Sequence, residues 1–235
     1  RAPFAISAVL AFLNCLYGSF ILEESLAPEN RRAFDWKRAN PLAVFYQLRQ
    51  YAAFSWILIS YFLFTIANIA LQCTWSFYTL IKVKWSEGMV GWSLVGFGVL
   101  VAVVQGWLTG VLVPRMGNLR AAVFGMTCTL IAFVGIGWAP EAWILFMFMV
   151  PYAFGGLVDP AVRESLSTRT GADSQGELQG LFASLYSLAE VIAPPIMTGI
   201  YYYFISDKTP IKIPGAPYYV AAILTLISLP MVYYG

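Results

Sequence analysis

The sequence predicts an all-α, polytopic membrane protein with seven transmembrane helices, and three observations lead to that class. Seven apolar stretches run through the 235 residues, each of the roughly 20 residues that a helix needs to cross the hydrocarbon core. Hydrophobic residues make up 60% of the chain and charged residues 11%, against about 25% charged in ordinary soluble domains. The stretches are too long and too uniformly apolar for the alternation of barrel strands. A bilayer offers no water to unpaired backbone groups, so each stretch is expected to be a helix.

In chain order the stretches are Pro3 to Leu22, Ala52 to Ile81, Gly88 to Val113, Ala121 to Ala139, Ala142 to Val162, Leu178 to Ile205 and Pro217 to Tyr234. Residues 1–22 form a first helix, residues 23–50 a polar connector, and residues 51–235 a bundle of six helices joined by short turns. After Asn40 as N-cap and Pro41 at the first helical position, Leu42 to Tyr51 has apolar residues at helical spacing and is expected to lie along the interface. The connector holds Arg31, Arg32, Lys37, Arg38 and Arg49; later turns on the same side hold Arg115 with Arg120, and Arg163 with Arg169. This bias places those three connections in the cytoplasm. Trp85, Trp92, Trp107, Trp138 and Trp143 fall near stretch ends, as interfacial aromatics should. The chain starts Arg1-Ala-Pro with neither Met nor a signal-peptide pattern, and is expected to begin inside a longer protein.

Several function classes are disfavoured. A net charge of +2 argues against a nucleic-acid partner. The chain has no His, which removes His-based triads and His-ligated metals. Cys15, Cys73 and Cys128 all fall within apolar stretches and read as small core residues. There is no phosphate-binding loop with its Lys, no nucleophile paired with a base, and no metal-ligand cluster. The chain is therefore expected to be no enzyme, with no cofactor and no metal.

The strongest local motif is Gly110-Val-Leu-Val-Pro-Arg115-Met-Gly117-Asn-Leu-Arg120, at the turn between the third and fourth stretches. Gly110 and Gly117 suit close helix approach or positive φ, and Arg115 and Arg120 suit a latch to carboxylates or helix C-terminal carbonyls of a neighbour. On the second stretch Asn68, Gln72, Trp75 and Thr79 recur every three or four residues and share one helix face. Polar groups facing lipid are costly, so the stripe faces either a water-filled cavity or hydrogen-bonding partners on other helices. Tyr78 lies beside it, near the outer end. Glu190 stands about 20 Å of helix from the end of its stretch near Glu177, with Tyr186 and Ser187 one turn back. An acid so placed is either a proton- or cation-coupling group or a locally satisfied structural one. Gly155-Gly156, Gly106 with Gly110, and Gly176 with Gly180 are expected at close helix crossings.

The Gly110–Arg120 turn resembles the second copy of the signature loop of the major facilitator superfamily, with Pro114 where an acidic residue often stands. Phe34 to Pro41, Gln72 to Thr79 and Gly171 to Gly180 make the chain similar to the tetracycline-resistance-type (TetA-like) branch of drug:proton antiporters, from the first stretch to the last. The resemblance implies a twelve-helix transporter of two six-helix repeats, this chain supplying helix six, the central loop and the second repeat. Glu190 departs from the family pattern, where that position is more often small or apolar.

The expected function is proton-coupled efflux of a small amphipathic compound by alternating access, from the cell membrane and specifically the bacterial inner membrane. Its cavity is expected to use Asn68, Gln72, Trp75, Tyr78, Tyr186 and Glu190, with Glu190 as the coupling group and Gly110, Arg115, Gly117 and Arg120 as the cytoplasmic gate. The expected partners are membrane lipid, the N-terminal half of the same protein and a small-molecule substrate. A second reading, from another class, is a non-transporting scaffold or accessory subunit of a larger membrane complex.

Overall fold

The computed structural model describes residues 2–21, 54–171, 174–206 and 209–234. The connector with its basic cluster, and the interfacial helix expected at Leu42 to Tyr51, lie outside the described residues. The chain divides into two units, residues 1–36 and 37–235. In the first, α1 (Ala2–Phe20) is a 19-residue apolar helix.

The second unit holds six helices long and apolar enough to cross a membrane. They are α2 (Ser55–Ile81); α3 (Glu87–Val103), continued through a π-helical turn at Val104–Leu108 into α4 (Thr109–Met116); and α5 (Asn118–Trp138). Next come α6 (Ala142–Ala153), continued through a 3₁₀ turn at Phe154–Leu157 into α7 (Val158–Ser167), then α8 (Gln175–Ile205) and α9 (Ala216–Tyr234). Every described element is helical, as the composition requires. The fifth stretch extends past the expected Val162 to Ser167, so Arg163, expected in a loop, sits on a helix.

Local chemistry sets the ends. Ser86 caps α3 by accepting from the Met89 amide at 3.3 Å. Gly117 separates α4 from α5 at φ +82°, ψ 153°, and its N–H returns to the Val113 carbonyl at 2.8 Å. That backbone region is essentially restricted to glycine, which explains why the motif needs Gly117. Gly110, Gly106, Gly176 and Gly180, expected at helix crossings, instead have open space where a Cβ would stand.

Within the unit α9 packs on α2 and α5, α2 also packs on α8, and α5 on α6 and α7. One core cluster gathers Trp75, Tyr78, Phe133 and Tyr218; a second gathers Ile57, Leu58, Phe182 and Val158. Trp85 was expected at an interface but is buried, stacked on Phe146 with ring centroids 5.3 Å apart. Trp92, Trp107, Trp138 and Trp143 are exposed. At the α2 C-terminus Lys82 Nζ donates to Tyr78 Oη at 2.7 Å and to the Gly137 carbonyl at 3.3 Å, while Tyr78 Oη donates to the Ile136 carbonyl. The last carbonyls of α5 are satisfied this way and tied to α2. Partial burial holds the Lys82 ammonium below its ordinary pKa.

Replacing Gly117 with Ala is expected to cost about 1–3 kcal/mol, the strain of a side chain in a glycine-only region. A lower thermal unfolding midpoint in detergent checks this; an unchanged midpoint contradicts the stated role of the turn.

Candidate functional site

The site is a cavity of about 300 Å³ between α2, α3, the two irregular turns and α8. On α2 it is lined by Tyr61, Thr65, Asn68 and Gln72, and across from them by Phe97, Val101, Gln105, Tyr152, Asp159 and Tyr186. Its volume is at the lower end of the range for small-molecule sites, about 300–1,000 Å³.

Two departures from regular helix shape the wall. The π turn carries one extra residue, closed by Thr109 Oγ1 donating to the Val104 carbonyl five residues back at 2.9 Å, and it brings Gln105 to the cavity. The facing 3₁₀ turn carries Gly155 and Gly156. A Cβ at position 155 would stand 2.4 Å from Thr129 Oγ1, and one at position 156 would stand 3.1 Å from Gln105 Nε2. The close approach expected of this glycine pair is present, and it is an approach to polar side chains.

The sequence-predicted residues separate into two groups. Asn68, Gln72 and Tyr186 line the cavity together. Trp75 and Tyr78 do not. Trp75 is buried, donates from Nε1 to Ser93 Oγ at 3.0 Å, and meets Trp85 edge-on at 6.2 Å; Tyr78 is buried against Tyr218 at 4.8 Å. The stripe is one helix face, but Trp75 stands about 10 Å further along the axis than Asn68. At that level the start of α3 and Trp85 close over it. The cavity face of α2 therefore runs from Tyr61 to Gln72, shifted two turns toward its N-terminus. Glu190 is exposed and one turn beyond Tyr186, its electrostatic neighbour, and is not part of the lining. Arg115 and Arg120 are exposed, and among the described residues they form no ion pair.

A charged network at the Tyr61 end was not anticipated. Tyr61 Oη donates to Asp159 Oδ1 at 2.7 Å, and Arg163 Nε donates to the same oxygen at 2.8 Å. Arg163 Nη2 donates to Tyr61 Oη at 3.1 Å and Nη1 to Gln179 Oε1 at 2.9 Å. The guanidinium lies over the Phe182 ring, 4.6 Å from its centroid, a cation–π arrangement. The signal was present in the sequence as Asp159 and Arg163 at i, i+4 near the end of an apolar stretch. The site offers amides, phenols, one carboxylate and aromatic faces, which suit reversible binding.

Comparison with known proteins agrees with this architecture. The family model described as Major Facilitator Superfamily matches residues 66–235. The class C tetracycline resistance protein of Escherichia coli is 33% identical over 230 residues, covering 98% of this chain and 57% of that protein. The class G tetracycline resistance protein of Vibrio anguillarum is 32% identical over 171 residues, covering 73% and 42% respectively. Among solved structures, that of the human organic anion transporter MFSD10 (TETRAN) superposes with a TM-score of 0.79 at 21% identity, over 95% of this chain and 55% of the other. The chain spans about half the length of the curated relatives it matches. With six membrane-length helices, a polar-lined cavity among four of them and a family match over most of its residues, the chain belongs to the major facilitator superfamily.

Proposed function

We propose that this chain forms the C-terminal half of a proton-coupled exporter, which moves a small amphipathic compound out across a bacterial inner membrane by alternating access. The observation that carries the reading is the cavity itself, a polar-lined space in a bundle whose outer surface is apolar. Polar groups are retained at membrane depth where they face protein or water, and transporter sites of this kind lie between helical repeats. Relatives named for tetracycline resistance, at 32–33% identity, support efflux of a compound with an aromatic body and several polar groups. Amides and phenols on the wall match such a compound.

In this reading Asn68, Gln72 and Tyr186 contact substrate, and the Gly110–Arg120 turn is the cytoplasmic gate. Arg115 and Arg120 serve the gate from exposed positions, from which each can engage a carboxylate of the opposite half in one state and release it in the other. Glu190, exposed on the α8 face beyond Tyr186, takes up and releases the coupled proton. An acid whose surroundings change between conformations can exchange a proton with each side in turn.

Transport is tested with the protein expressed with both halves and reconstituted in proteoliposomes under an imposed pH gradient, using tetracycline as first probe. Gradient-driven accumulation is expected, and Glu190→Gln is expected to reduce it severalfold while leaving binding intact. Accumulation in that variant equal to the parent at every pH reassigns the coupling role. A matched variant separates wall from scaffold: Trp75→Phe removes the Nε1 bond to Ser93, whose hydroxyl keeps its bond to the Val90 carbonyl, and is expected to lower stability by about 0.5–1.5 kcal/mol, the worth of one hydrogen bond, read as a lower unfolding midpoint. Its probe affinity should stay at the parent value; a loss of affinity with an unchanged midpoint would return Trp75 to the cavity.

A further inference from the structure

We infer that the cavity selects organic cations, with Asp159 as the group that binds a protonated amine, an inference that rests on the transport reading above. Among the described residues that line the cavity, Asp159 is the one that carries a charge. Its counter-ion is not itself in the lining: Arg163 pairs with Asp159 through Oδ1 alone at 2.8 Å, and the rest of its guanidinium is spent on Tyr61 Oη, Gln179 and the Phe182 ring. The lining therefore includes the anion of this ion pair and not its cation.

The carboxylate is also oriented. Both hydrogen bonds it accepts, from Tyr61 Oη and Arg163 Nε, go to Oδ1. Among the described residues none goes to Oδ2. A carboxylate fixed through one oxygen and displaying the other is preorganised to accept from an ammonium, because little side-chain freedom is lost when the ligand arrives. The half-exposed carboxylate, at 52% of its side-chain surface, is reachable.

The remaining wall fits the rest of such a molecule. Phe97 and Tyr152 pack with ring centroids 5.2 Å apart and offer aromatic surface to an apolar body. A ligand ammonium near such rings also gains cation–π attraction. Asn68 spends its amide on the Phe64 carbonyl, with Nδ2 donating at 2.8 Å, which leaves its Oδ1 to accept from a ligand donor. An organic anion of the same size would meet the Asp159 carboxylate, while Arg163, outside the lining, has its donors spent on Asp159, Tyr61 and Gln179. The wall thus discriminates by charge sign.

The test uses three fluorescent probes of one body and different charge: monodansylcadaverine (ammonium), dansylamide (neutral) and dansylglycine (carboxylate). Each is titrated against the protein, expressed with both halves, in nanodiscs of uncharged lipid. The parent is expected to bind the ammonium probe about tenfold more tightly than the neutral one, about 1.4 kcal/mol, and the anionic probe most weakly. In Asp159→Asn, which keeps the shape, the preference should vanish while dansylamide affinity holds, a retained signal that also reports an intact cavity. Should that variant fail to fold, Gln72→Glu places a second carboxylate on the wall and is expected to increase the preference for the ammonium. Equal binding of the three probes by the parent overturns the proposal. So does a preference that survives Asp159→Asn, or one that Gln72→Glu leaves unchanged. Charge-selective binding without gradient-driven accumulation would keep this site and retire the transport reading; transport without charge selectivity would do the reverse.

Discussion

Everything in this bundle depends on one constraint: inside a bilayer a polar side chain must find its partner within the protein. The helices meet it locally. Thr65, Thr74, Thr79, Thr129 and Thr225 each donate to the carbonyl four residues back on their own helix, at 2.5–2.9 Å. Ser60 crosses from α2 to the Ser228 carbonyl on α9 at 2.8 Å. No buried side-chain nitrogen or oxygen among the described residues lacks a partner. Groups disposed of in this way are unavailable to a ligand, so the cavity's chemistry falls to others, among them Gln72, Gln105, the Tyr186 phenol, the side-chain carbonyl of Asn68 and one oxygen of Asp159.

The same constraint explains where the helices break. A regular α-helix satisfies its own backbone, and a π or 3₁₀ turn gives up part of that economy. Both departures here flank the cavity, at Val104–Leu108 and Phe154–Leu157, where Gly156 faces Gln105 and Gly155 faces Thr129. Away from the cavity α8 runs unbroken through Pro194 and Pro195, and α9 through Pro230. Irregularity is thus concentrated where it re-aims a side chain.

Much of the fold was legible because hydrophobic length is a one-dimensional signal. The six spans of the second unit begin and end within five residues of the expected stretches, and Gly117 takes positive φ, one of the two roles its place in the motif suited. The site was legible only in part. Periodicity placed Asn68, Gln72 and Trp75 on one face of α2, but it carries no information on where along that face neighbouring helices close. Ser93 and Trp85, which enclose Trp75, come from other segments. Asp159 and Arg163 were passed over because charges near the end of an apolar stretch read as topology signals; their shared contacts with Tyr61, about a hundred residues earlier, exist only in the folded chain. Glu190 drew attention by its depth in the sequence, yet depth along a helix does not say which way the face points.

We propose that the α2 face from Tyr61 to Gln72 borders a water-filled cavity. Thiol labelling tests it most directly. In a background with Cys15, Cys73 and Cys128 replaced by Ser, a water-soluble maleimide is applied in membranes to Gln72→Cys and to Val99→Cys, the latter on an exposed apolar face of α3. Rapid modification of Gln72→Cys, slowed by bound monodansylcadaverine, and little modification of Val99→Cys are expected. Equal, slow labelling at both positions, unaffected by the probe, would contradict it.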